Sequence, residues 1–107
     1  MVNNGVEEIS GKQFEERIKK PISIIDFFAE WCMPCLMLAP IVEEMAVKFK
    51  GKIEFAKVNI DDNPELASKY SVMSIPTLIV FKKGKEVERI TGAMNAEQFE
   101  EKLKKLL

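Results

Sequence analysis

The sequence predicts a three-layer α/β/α domain with a central mixed sheet of four to five strands and four helices, on three observations. Short apolar runs rich in β-branched and aromatic residues (22–28, 53–60 and 77–81) alternate with segments that keep helical spacing. The run at 22–28 is apolar on both faces, as suits a central strand covered by helices on each side. After the third run, the turn Lys82-Lys83-Gly84-Lys85 leads to residues 86–91, which return as an antiparallel partner. The expected order is therefore β, α, β, α, β, α, β, β, α, with a weak first strand. At 107 residues the chain is expected to form one domain, 1–107, that buries a single core.

Each element has its own local cause. Ser10 followed by Gln13 resembles a capping box; Phe14 and Ile18 supply an apolar face, and Pro21 stops the helix. Glu15–Lys19 and Glu16–Lys20 lie one turn apart and should support it. The second helix runs from about 34 to 49, with Leu38, Val42, Met45, Ala46 and Phe49 inward and Glu43, Glu44 and Lys48 facing water. Pro40 lies inside this helix and should bend it. Asn63-Pro64 opens a third helix through about Tyr70, since proline suits a first helical position. The last helix begins near Asn95, with Phe99, Leu103 and Leu106 as its apolar face, glutamates at its positive end and lysines at its negative end.

Composition removes several function classes. The formal net charge is −1, from 16 basic and 17 acidic residues, so no electrostatic reason points to nucleic acid or an anionic membrane as partner. Apolar stretches fall well short of a membrane span, and the first eight residues have neither a basic nor an apolar leader region; a cytoplasmic protein is expected. The chain has no histidine, which removes any Cys–His nucleophile pair, any Ser–His–Asp triad and every histidine metal ligand. Five glycines form no phosphate-cradling loop, and Asp61-Asp62-Asn63 lacks the loop and closing glutamate of a calcium site, so it reads as a helix cap.

The chemistry concentrates in Trp31-Cys32-Met33-Pro34-Cys35, which holds both cysteines of the chain. It falls at a strand-to-helix turn, where positions i and i+3 share one side of the first helical turn, close enough for a small disulfide ring. The free N–H groups and positive dipole of a helix start favour a thiolate. A thiolate beside a second thiol is the minimum equipment for disulfide exchange. Two thiols without histidine cannot close a four-ligand zinc site within a monomer unless carboxylates join them. Asp26, in the middle of an apolar strand, must be desolvated and should have a raised pKa; as pure structure it would only cost stability.

Residues 26–35, Ala39-Pro40, Lys57-Val58-Asn59, Asp61, Ser74-Ile75-Pro76-Thr77, Lys83-Gly84 and Thr91-Gly92-Ala93 together resemble the thioredoxin family, in its order and spacing over essentially the whole chain. The chain departs from the family's usual pattern at Met33 (commonly Gly), Phe28 (commonly Trp), Leu36 (often basic) and Ser74 (often Gly). The resemblance implies a thioredoxin fold and a protein-disulfide reductase without bound cofactor, with Cys32 as nucleophile and Cys35 as resolving thiol. It implies that Asp26 is the general base for Cys35, that Lys57 is its charge partner, and that Pro76 is cis, with Ile75 offering backbone groups to an extended substrate. Trp31, Met33, Pro34, Met73, Ile75, Pro76, Gly92 and Ala93 would form the substrate rim, with Met94 either there or in the core. The implied partners are a thioredoxin reductase and disulfide-containing client proteins, and a monomer is expected. Two rival readings use the same fold: a glutaredoxin- or disulfide-isomerase-like oxidant, and a non-catalytic docking subunit of a partner enzyme.

Overall fold

A computed structural model describes residues 5–107 of the chain, so the first four of the eight residues read as lacking a leader region lie outside the described residues. The elements follow in the expected order: β1 (Val6–Glu8), α1 (Gly11–Arg17), β2 (Ser23–Phe28), α2 (Met33–Lys48), β3 (Glu54–Asn59), α3 (Pro64–Lys69), β4 (Thr77–Lys82), β5 (Lys85–Thr91) and α4 (Ala96–Lys104). The sheet order is β1-β3-β2-β4-β5. β1 and β2 flank β3 in parallel, while β2–β4 and β4–β5 are antiparallel.

β2 is central because its residues can be buried on both faces, and Ser23 through Phe27 are. Alternation along the strands then makes two cores. Ile24, Phe55, Leu78 and Val80 meet α2 and α4 through Leu38, Val42, Phe99 and Leu103. Ile25, Phe27, Val58, Ile79 and Phe81 meet α1 and α3 through Phe14, Ile18 and Leu66. The β4–β5 turn places Lys83 and Gly84 at φ 51° and 89°, the left-handed pair that matches strand twist in a two-residue hairpin.

One local expectation is corrected. α1 ends at Arg17, so Lys19 and Lys20 lie past the helix in a turn that closes through Lys19 N–H to the Glu16 carbonyl and Lys20 N–H to the Arg17 carbonyl. Glu15 pairs instead with Lys69 of α3, at 3.4 Å. Asn63 is the N-cap of α3, as read from the sequence; its side chain bonds none of the helix's own N–H groups, and its Nδ2 donates to the Asn59 carbonyl at 3.1 Å. Pro40 sits inside α2, which continues through it as one 16-residue helix. α4 is capped as its sequence suggests, with Asn95 Oδ1 accepting the Gln98 N–H at 2.8 Å. Asn95→Ala should lower the unfolding free energy by about 1 kcal/mol, read from the urea midpoint at unchanged slope.

Candidate active site

β2 runs straight into the site. Its last residue, Phe28, and Ala29 beyond it lead to Trp31 and then to Cys32, which is the N-cap of α2 with extended backbone (φ −89°, ψ 107°). Met33 and Pro34 are the first two helical residues; proline is tolerated there because its missing N–H would have no partner in the helix. Cys35 follows at the third position. The two cysteines are joined as a disulfide, with Cα atoms 5.2 Å apart. The Cys35 backbone N–H donates to Cys32 Sγ at 3.2 Å. A side chain in this N-cap position meets the positive end of the helix, so negative charge on that sulfur is favoured on reduction.

Both cysteines are buried, Cys32 being 5% exposed and Cys35 4%. Ala29, Phe28, Ile60 and Ile75 pack around the pair. The Ile75 carbonyl oxygen stands 3.9 Å from Cys32 Sγ. Ile75–Pro76 is cis, as the resemblance implies. Gly92 donates its N–H to the Pro76 carbonyl at 2.9 Å, which joins the segment after β5 to the segment before β4. Gly92 has φ +89°, a conformation that a side chain would strain.

Of the expected rim, Trp31 (70% exposed), Met33 (64%) and Met73 (91%) are open to solvent. Pro34 and Ala93 are exposed, Ile75 and Gly92 half-buried and Pro76 buried. Met94 packs against the core on the α2/α4 side rather than standing free. Leu36 and Met37 are exposed large apolar residues one turn into α2 that sequence reasoning did not place in the rim. Their helical phase, off the Leu38–Val42–Met45 stripe, was the available signal. Asp61 was also missed: its Oδ2 accepts the indole N–H of Trp31 at 2.8 Å, and its own N–H donates to Asn59 Oδ1 at 2.9 Å. Thirty residues separate Trp31 from Asp61, so no local pattern reports the pair.

Asp26 lies on the same face of β2 as Phe28, two residues before it. It is 4% exposed, and its Oδ1 has no hydrogen-bond partner. Burial pushes its pKa up to about 7, with Lys57 pulling the other way. Lys57 is its register partner on β3. The Lys57 ammonium stands over the Phe28 ring, 5.3 Å from the centroid. The strand that leads into the sulfur couple therefore carries a buried carboxyl whose pKa is raised by burial to about 7. Among the described residues, no group of three or more Cys, Asp or Glu is arranged to hold a metal ion, and no helix is long and apolar enough to cross a membrane.

Comparison with known proteins agrees with this geometry. A family model described as Thioredoxin matches residues 5–105. A thioredoxin from Staphylococcus aureus (strain Mu50) is 41% identical over 102 residues, covering 95% of this chain and 98% of that protein. The thioredoxin from Staphylococcus aureus (strain COL) gives the same figures. Among solved structures, a mutant thioredoxin from Halobacterium salinarum NRC-1 matches with a TM-score of 0.88 at 29% identity, covering 99% of this chain and 94% of that one.

Proposed function

This chain belongs to the thioredoxin family and is a thiol–disulfide oxidoreductase that reduces protein disulfides, and from that premise we propose how its residues divide the reaction. The Cys32 thiolate attacks one sulfur of a client disulfide. A Cys32–client bond forms, the client S–S bond breaks, and the other client sulfur leaves with the electron pair. Cys35 then loses its proton and attacks Cys32 Sγ, which closes the Cys32–Cys35 disulfide and releases the second client thiol. Two electrons pass to the client, and the protein ends oxidised. Asp26 takes the Cys35 proton, and Lys57 is the charge that moderates Asp26.

The observation that carries this reading is the sulfur couple itself: a disulfide at a helix N-cap, with the Cys35 N–H donated to Cys32 Sγ. The Ile75 carbonyl beside Cys32 supports a role for Ile75 and Pro76 in holding an extended client segment by its backbone. Trp31, Met33, Pro34, Met73, Gly92 and Ala93 complete the docking rim, where exposed thioethers adapt to unrelated chains. The protein works as a single-domain cytoplasmic monomer, needs no bound cofactor, and is re-reduced by a thioredoxin reductase between clients.

The test is the equilibrium reduction potential of the Cys32–Cys35 couple, titrated against a thiol buffer and followed by Trp31 fluorescence. A reductant of this family should lie near about −270 mV. A value between roughly −180 and −120 mV would keep the nucleophile but reverse the electron flow, making the protein an oxidant or isomerase.

A further inference from the structure

Three side chains share one face of the sheet beside the disulfide. Asp26 and Phe28 are two residues apart on β2, and Lys57 on β3 is the register partner of Asp26. The two charged groups face one another, yet they form no ion pair among the described residues. Asp26 Oδ1 is left without a hydrogen-bond partner. The ammonium goes to the aromatic ring instead, 5.3 Å from the Phe28 centroid and inside the ~6 Å range of cation–π attraction. Phe28 in turn packs against the Cys32–Cys35 pair.

We propose that Phe28 is a positioning residue for proton transfer: its ring holds the Lys57 ammonium beside the Asp26 carboxyl rather than on it, leaving that carboxyl unpaired and able to accept a proton. A lysine that closed onto Asp26 would hold the carboxylate ionised and make it a weak base. A lysine lost to solvent would leave only desolvation acting on it. The ring sets a station between these limits, where burial outweighs the pull of Lys57. The inference rests on the reading of Asp26 as the proton acceptor.

β4 presents Leu78 as the register partner of Asp26, and α2 and α4 cover this face with Leu38, Val42, Phe99 and Leu103. In the oxidised protein the disulfide cysteines do not titrate. Titration of the Asp26 carboxyl carbon by NMR in the oxidised protein therefore reports Lys57 directly. Phe28→Leu, which keeps an apolar side chain but removes the ring, should lower the Asp26 midpoint by about half to one pH unit. Phe28→Trp, with a stronger π-face, should leave it in place or raise it. In a Lys57→Met background, the effect of Phe28→Leu should vanish.

An unchanged or raised midpoint in Phe28→Leu overturns the inference, and so does a shift that persists without Lys57. The pH–rate profile of client reduction separates the two readings. A profile that follows the NMR midpoint supports both. A profile that stays put while the midpoint moves rejects Asp26 as proton acceptor and with it the part of Phe28 in proton transfer, leaving only its hold on Lys57.

Discussion

Cys35→Ser is expected to arrest the reaction at a long-lived mixed disulfide between Cys32 and the client, while Cys32→Ser forms no adduct at all. The asymmetry follows from position. Cys32 is the N-cap, its sulfur accepting the Cys35 N–H at 3.2 Å beside the Ile75 carbonyl, and in the proposed mechanism a thiolate there is favoured by the helix start and meets the client first. Cys35 lies three residues further along, in the first turn of α2, close enough to reach Cys32 Sγ. Either substitution should lower turnover by on the order of 10³-fold or more, because loss of a covalent nucleophile is not compensated by binding. Acid-quenched, non-reducing intact mass analysis with a disulfide-bonded protein substrate distinguishes the cases. An adduct in Cys32→Ser and none in Cys35→Ser would exchange the two roles. Partner-dependent activity that survived in Cys32→Ser would instead favour a docking subunit.

Asp26→Asn should make the oxidised protein more stable and, in the same stroke, slower. The native carboxyl holds its proton up to about pH 7, whereas the unfolded chain releases it near 3.8. Between those values the native state binds more protons than the unfolded one, so stability falls as pH rises through the window. Three decades at ~1.4 kcal/mol each amount to a loss of about 4 kcal/mol, complete above neutrality. The asparagine variant has no such titration. Its advantage should be near zero below pH 3.8, grow through the window and level off above about 7. Urea unfolding at a series of pH values measures this, with the midpoint moving and the slope constant. A stability difference independent of pH would show that Asp26 is not desolvated in the native state. Turnover near neutral pH should fall by on the order of 10²-fold, the usual contribution of a positioned base. Equal rates in the two proteins would assign the proton to water.

Much of this was legible in the residues because its causes are local. The alternation of apolar runs with helical stripes, the turn at Lys82–Lys85, and the Asn95 cap all arise within a few residues of chain, and each element forms where its pattern lies. The Cys32–Cys35 couple is local too, since one helical turn brings i and i+3 together. Asp26 could be singled out because a carboxylate in an apolar strand has few structural justifications. The errors have one physical source. Glu15 finds Lys69 rather than Lys19 because α1 stops a turn early, and where a short helix ends is decided by what it packs against.

By itself, then, the sequence determined the elements, their order, the sulfur chemistry and the one carboxyl out of place. The tertiary structure alone decided the strand order β1-β3-β2-β4-β5, which buries Asp26 so that its pKa rises and sets Lys57 beside it, pulling the other way. It also decided that Asp61 tethers Trp31, that the Ile75 carbonyl reaches Cys32 across 43 residues, and that the sulfurs sit below a collar of Phe28, Ile60 and Ile75. Secondary structure answers to neighbours along the chain, through spacing and capping. Burial, partner choice and the pKa of a carboxyl answer to neighbours across it, and those exist only once the sheet has closed.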